Sequence, residues 1–211
     1  MRAPTGFHDD RPMEARDLSE DPIEQFRRWL ADAEAAGVPL PNAMAVATSD
    51  DAGRPSVRHV LLRTVDERGF VFYTNHASRK GRDLAANPRA GLVFLWKELD
   101  RQVCVTGDVT EVDGAESDAY FATRPRDAQL GAWASRQSEP LASRDELMAR
   151  VAETDARFHA EVPRPEGWGG YLVRPGAIEF WQGRRHRLHD RFRYERDAGT
   201  SAGWRLVRLN P

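Results

Sequence analysis

At four places in this sequence arginine stands beside hydroxyl, amide and aromatic side chains, a combination suited to holding phosphate groups and flat rings. The first is Arg58-His59-Val60-Leu61-Leu62-Arg63. Strand alternation puts Arg58, Val60 and Leu62 on one face and His59, Leu61 and Arg63 on the other, and a buried face bearing arginine needs an anion. Two exposed strand-end arginines are the plainer alternative. The second is Tyr73-Thr74-Asn75 with Ser78-Arg79-Lys80-Gly81, which sets hydroxyls and two cations at a helix N-terminus, where free N–H groups and the helix dipole favour a phosphate. An ordinary capped helix with surface charges would look the same. In the third, Tyr120 and Arg124 lie four apart, so on a helix they share a face, with Gln129–Ser135, Gln137 and Ser138 following. The fourth, Glu179–Arg191, packs Trp181, Gln182, Arg184, Arg185, His186, Arg187, Leu188, His189 and Arg191 into a strand, a turn and a strand, which packing alone does not explain.

The rest of the sequence narrows the chemistry. There is no glycine-rich phosphate loop, no His-Glu-x-x-His and no Gly-x-Ser-x-Gly. His186 and His189 could bind a metal, but no carboxylate or thiolate cluster supports that, and no metal is expected. Lys+Arg 31 against Asp+Glu 33 gives a net charge of −2, which argues against a general nucleic-acid surface. Only Lys80 and Lys97 are lysines, so most arginines reflect a coding bias and sit in solvent. The single Cys104 excludes an internal disulfide framework. With no apolar run of about 20 residues and no apolar signal core in residues 1–12, no membrane partner is expected and the cytoplasm is the expected compartment.

These residues need a frame, and 211 residues with 40% hydrophobic content can build one core. Residues 1–20 are polar and aperiodic, an expected flexible arm whose order would have to come from docking; residues 21–211 form the expected single domain. Asp21-Pro22 opens a helix with Ile23, Phe26, Trp29, Leu30 and Ala33 on one face. Strands are predicted at Ala43–Ser49, Ser56–Val65 and Phe70–Thr74 as an antiparallel meander, then at Ala90–Trp96 and Gln102–Val112. A short helix spans Ser78–Asn87, and Ala115–His159 is mainly helical. Further strands are predicted at Tyr171–Arg174, Ile178–Gln182, Arg191–Tyr194 and Trp204–Leu209. The fold class is therefore α+β, an antiparallel barrel or sandwich with helices inserted between strands.

At these residues the sequence resembles the pyridoxamine 5′-phosphate oxidase family. The matching runs are RHVLLR (58–63), FYTN (72–75), SRKG (78–81), RQV (101–103), YFATRP (120–125), QLGAWASRQS (129–138), WGGY (168–171), EFWQGRRHRLHDR (179–191) and RLNP (208–211), in family order over about residues 21–211. The resemblance implies an FMN-binding split β-barrel with peripheral helices, working as a homodimer with FMN between subunits. It implies an enzyme that oxidises pyridoxamine or pyridoxine 5′-phosphate to pyridoxal 5′-phosphate, with O2 as acceptor and H2O2 as by-product. By position, the cofactor set would be Arg58, His59, Val60, Leu61, Leu62, Arg63, Tyr73, Thr74, Arg79, Lys80, Gln102, Gln137, Ser138, Trp181 and Arg191. Arg63, Tyr120 and Arg124 would meet the substrate phosphate; Arg187, Leu188 and His189 would lie by the pyridine ring, with Arg187 and His189 as the catalytic pair.

The sequence also departs from the family pattern. Arg63 replaces a common lysine, Ala128 a serine that often joins the substrate-phosphate site, and Leu40 a common acidic residue; the arm lacks an Arg-x-x-Tyr pattern, with Phe7 and His8 its nearest rings. Two alternatives follow: a paralogous flavin oxidase acting on a reduced aromatic ring, as in phenazine assembly, and a non-catalytic protein that binds flavin or pyridoxal phosphate.

Overall fold

The computed structural model describes residues 11–211. The part of the arm before Arg11, with Phe7 and His8, lies outside the described residues. The rest of the arm docks: Met13 is buried, its N–H donates to Asp190 (2.9 Å), and Tyr194 Oη donates to the Ser19 carbonyl (2.5 Å).

Among the described residues, five α-helices and nine strands follow in order: α1 (Pro22–Ala35), β1 (Ala43–Ser49), β2 (Pro55–Leu61), β3 (Thr64–Asp66), β4 (Gly69–Asn75), α2 (Arg79–Ala86), β5 (Arg89–Trp96), β6 (Arg101–Glu111), α3 (Gly114–Ala122), α4 (Arg126–Ala134), α5 (Arg144–Arg157), β7 (Trp168–Gln182), β8 (Asp190–Arg196) and β9 (Trp204–Leu209). All strand pairs are antiparallel, in the order β2-β1-β5-β6-β7-β4-β3, with β8 and β9 added beside the C-terminal half of β7. The sheet curls into a split barrel with helices at its periphery, an α+β architecture.

Two expectations need correction. The predicted strand Ser56–Val65 breaks at Leu62-Arg63, so no meander forms. Leu62 N–H donates to the Asn42 carbonyl (2.8 Å), whereas Arg63 N–H donates to Val71 on β4 (2.9 Å). Neighbouring residues thus bond to opposite ends of the strand order, and the barrel closes there because buried backbone groups must be paired. Conversely, Tyr171–Arg174 and Ile178–Gln182 are one strand. Its N-terminal half pairs with β4 and its C-terminal half with β8, while β6 follows both and shifts register at Thr106/Gly107. A Cβ on Gly107 would fall 2.0 Å from the Arg174 carbonyl oxygen, so only glycine permits the bulge opposite Pro175.

α1 plugs the barrel. Asp21 caps it by accepting from Ile23 N–H (2.9 Å), Pro22 supplies the preset first turn, and Ile23, Phe26, Trp29 and Ala33 are buried. Phe26 meets Phe70 and Phe94 edge-on at 4.9 and 4.8 Å between centroids. A second, smaller cluster of Phe121, Leu130, Val162 and Trp168 forms beneath α3 and α4. α5 buries none of its residues fully; Val151, with Phe158 just beyond its end, leans on that cluster.

Candidate functional site

The barrel seam opens into a cavity of about 810 Å³ bordered by Arg58, His59, Val60, Leu61, Arg63, Tyr73, Thr74, Arg79, Lys80, Tyr120, Arg124, Gln137 and Ser138, all anticipated from sequence. Ala128 and Trp168 also line it. Leu62 does not; it turns into the barrel core at 5% exposure. Among the described residues the lining contains five cationic side chains, Arg58, Arg63, Arg79, Lys80 and Arg124, and no carboxylate.

α2 presents the first group of cations. Ser78 caps it by accepting from Gly81 N–H, and Gly81 is obligatory because a Cβ there would lie 1.9 Å from the His76 carbonyl oxygen. Lys80, 5% exposed, donates to Thr74 Oγ1 (3.0 Å), Ser78 Oγ (3.2 Å) and Gln137 Oε1 (3.0 Å). All three acceptors are neutral. Burial, with the nearby Arg58 charge second, pushes the Lys80 ammonium down to about 8. Arg58, reaching in from β2, donates to the Val46 carbonyl (3.1 Å) and Thr48 Oγ1 (2.8 Å), and it is also lowered by burial. The anion expected beside it is present as Asp83, 3.6 Å away.

The opposite wall is aromatic. Tyr73 stacks on Tyr120 at 4.0 Å and on Trp168 at 5.5 Å, and burial, then the Glu116 charge, pushes the Tyr73 phenol up to about 12. Arg63 lies 5.7 Å from the Tyr120 ring centre, and Arg124 lies 4.7 Å from that of Trp168. Tyr120 and Arg124 do border one space, but not as a helical pair: α3 ends at Ala122, and Arg124 follows on a turn with its N–H bonded to the Phe121 carbonyl. Arg124 Nη1 is buried without a hydrogen-bond partner among the described residues, and burial lowers its pKa. Such a group is costly unless an anion completes it.

The remaining sequence candidates are elsewhere in the chain. Cross-strand register aligns Leu95, Gln102, Trp181, Arg191 and Leu209 in one row over β5–β9, on the face that Val93, Cys104 and Glu179 share. Arg191 forms a 2.8 Å ion pair with Glu179 and donates to the Asn210 carbonyl (3.0 Å). Trp181 and His189 pack with ring centres 4.6 Å apart. His189 Nδ1 accepts from Arg184 N–H (3.0 Å), so the neutral ring carries its proton on Nε2. His186 and Arg187 both adopt left-handed backbone (φ 57° and 63°), and Leu188 is 68% exposed. None of Gln102, Trp181, Arg187, Leu188, His189 and Arg191 borders the cavity. Sequence reasoning missed Asp83, Thr48 and Ser56 behind Arg58, and Trp168 as a wall of the cavity.

Comparison with known proteins places this architecture. The model described as "Pyridoxamine 5'-phosphate oxidase" matches residues 30–158, and that of the "Pyridoxine 5'-phosphate oxidase C-terminal dimerisation region" matches residues 168–211. The chain belongs to the pyridoxamine 5′-phosphate oxidase family. Within that family, the pyridoxine/pyridoxamine 5′-phosphate oxidase of Rubrobacter xylanophilus is 60% identical over 192 residues, covering 90% of this chain and 87% of the relative. That of Thermosynechococcus vestitus is 58% identical, covering 92% and 91%. Among solved structures, PhzG from Burkholderia lata, in complex with tetrahydrophenazine-1-carboxylic acid, is 35% identical with a TM-score of 0.90, covering 98% of this chain and all of that one. A family-related FMN-binding protein from Nostoc punctiforme, 17% identical, covers 88% and 97% at a TM-score of 0.69 and shares the fold. Among the described residues, no helix is long and apolar enough to cross a membrane.

Proposed function

We propose that this chain is a cytoplasmic, homodimeric, FMN-dependent oxidase that converts pyridoxamine or pyridoxine 5′-phosphate to pyridoxal 5′-phosphate, with O2 as acceptor and H2O2 as by-product. The observation that carries this reading is the cavity with five cationic side chains and no carboxylate among its described lining residues. Two phosphate-bearing ligands, a flavin mononucleotide and a substrate, would balance that charge. The residues fit such ligands: Lys80 holds its ammonium among neutral acceptors, and Arg124 keeps a buried N–H unpaired.

In this reading Arg58, Arg79 and Lys80 bind the FMN phosphate, and His59–Leu61, Tyr73, Thr74, Gln137 and Ser138 flank the flavin. FMN, when bound, would supply the two-electron redox chemistry between the substrate and O2. Arg63, Tyr120 and Arg124 hold the substrate phosphate, Arg124 backed by the Trp168 ring. Gln102, Trp181 and Arg191 complete the flavin site from the partner subunit, and Arg187, Leu188 and His189 reach the pyridine ring from the same side. Arg187 and His189 orient that ring, His189 through its Nε2–H, so catalysis is chiefly positioning. Support for the shared site comes from the dimerisation-region match and from the row that leaves Leu95 56% exposed.

The likeness to PhzG favours a second reading, oxidation of a reduced aromatic ring. The 60% and 58% identities to pyridoxine/pyridoxamine 5′-phosphate oxidases favour the first. Anaerobic mixing of the flavin-loaded protein with pyridoxamine 5′-phosphate should bleach the flavin absorbance, and air should then yield peroxide and aldehyde. Absence of both, with turnover of a dihydro-aromatic acid, would move the assignment to the second reading. Tight flavin binding without reduction by either would leave a non-catalytic binding protein.

A further inference from the structure

Arg58 is held from behind by a polar frame in which Thr48 and Asp83 are buried and Ser56 is half-buried. Its Nη1 donates to the Val46 carbonyl and to Thr48 Oγ1, and its Nη2 donates to Ser56 Oγ. Thr48 Oγ1 and Ser56 Oγ in turn both donate to Asp83 Oδ2, at 2.6 and 2.7 Å. The proton directions are forced, because a guanidinium only donates and a carboxylate only accepts. Each hydroxyl must therefore accept from Arg58 and give its proton to Asp83. Thr48 is 4% and Asp83 6% exposed, so water has little access to the bond between them, whereas Ser56 is half-buried at the cavity edge. Burial opposes the Asp83 charge, but the hydroxyls of Thr48 and Ser56 and the charges of Arg58 and Arg79 outweigh it, and its pKa stays below the ordinary carboxylate value. Of the five guanidinium N–H groups three are committed to this frame, which leaves Nε–H and one Nη2–H, the side-on fork that matches two phosphate oxygens.

We propose that Asp83, acting through Thr48 and Ser56, is a positioning residue that fixes which edge of Arg58 meets a phosphomonoester in the cavity. The proposal rests on the flavin-phosphate reading above. It makes Asp83 a determinant of preference for the phosphorylated flavin, although it does not itself border the cavity.

The test is titration of the flavin-free protein with FMN and with riboflavin, which shares the ring and lacks the phosphate. Asp83→Leu should weaken FMN by about tenfold or more while riboflavin stays within about threefold, since only the charge-assisted phosphate bonds are lost. Asp83→Asn keeps an oxygen able to accept both hydroxyl protons and should stay within about threefold of the parent for FMN. Asp83→Leu added to Arg58→Ala should cost nothing further. Thr48→Val with Ser56→Ala removes the same struts while the Asp83 carboxylate keeps its charge 3.6 Å from Arg58, and should reproduce the selective loss if Asp83→Leu does not fold. Equal weakening of FMN and riboflavin, or full additivity with Arg58→Ala, would overturn the proposal. A parent protein that binds riboflavin as tightly as FMN, or binds neither, would instead overturn the flavin-phosphate reading beneath it.

Discussion

If the cavity binds FMN as proposed, the buried ammonium of Lys80 should make flavin affinity a function of pH, with a calculable size. In the free protein its pKa is depressed from 10.5 to about 8 by burial and by Arg58. A bound phosphate dianion beside it would restore the pKa to the ordinary value or above, because an opposite charge at contact favours the charged form. The ammonium is then almost fully present in both states at pH 7, and affinity is at its maximum. At pH 9 about nine-tenths of the free protein has lost that proton and must regain it on binding, so the FMN dissociation constant should rise about tenfold, or about 1.4 kcal/mol. The sign follows from the depressed lysine: the advantage holds below pH 8 and fades as pH climbs through it. The phosphate does not contribute, since its second pKa is near 6. Fluorescence titration from pH 6.5 to 9.5 measures the slope, and calorimetry at pH 8.5 in buffers of differing ionisation enthalpy should find uptake of about three-quarters of a proton. Riboflavin affinity and the Lys80→Met variant should both be flat. A flat profile for the parent, or an equal slope in Lys80→Met, would refute the reasoning.

Other substitutions separate the remaining roles. Arg187→Ala should slow anaerobic flavin reduction by about a hundredfold or more with FMN retention nearly unchanged, whereas Lys80→Ala should mainly release FMN; equal effects on both readouts would remove the division of labour. Trp168→Ala should cost about 3–5 kcal/mol in denaturant unfolding. Trp168→Phe, which keeps a ring beneath Arg124, should fold well and raise KM for pyridoxamine phosphate more than it lowers kcat. Leu95→Glu places a charge in the exposed row of β5 and should yield monomers by light scattering with FMN weakened by at least about tenfold; a dimer with parental flavin affinity would count against a shared site.

Local signals made α1 readable, because Asp21-Pro22 states its start and Ile23, Phe26, Trp29 and Ala33 its buried face. The break at Leu62-Arg63 was not readable: residues 56–65 contain no glycine, asparagine or inner proline, and the break is dictated by distant partners, Asn42 and Val71. Pro175-Gly176 misled in the other direction, since a bulge opposite Gly107 lets the proline sit inside a continuous strand. Within the site, the cationic and hydroxyl residues announced themselves by type. Asp83 did not, because one aspartate in a polar helix looks like any solvated charge until the fold turns it toward Thr48 and Ser56. The separation of the candidates into a cavity and an outer row was equally hidden, since it depends on register across β5–β9.

Strand β7 has a consequence for how this site can be inherited and engineered. Trp168, a wall of the cavity, is its first residue, and Trp181 of the outer row is its penultimate one, with a contour of about 45 Å along fifteen extended residues. In the proposed dimer one rigid ribbon would therefore carry half of each of two sites and set their spacing as a ruler would. A chain defective at Lys80 and another defective at Arg187 are complementary: paired, they would assemble one intact site and one doubly broken one. Mixing two inactive variants should thus recover activity that neither has alone.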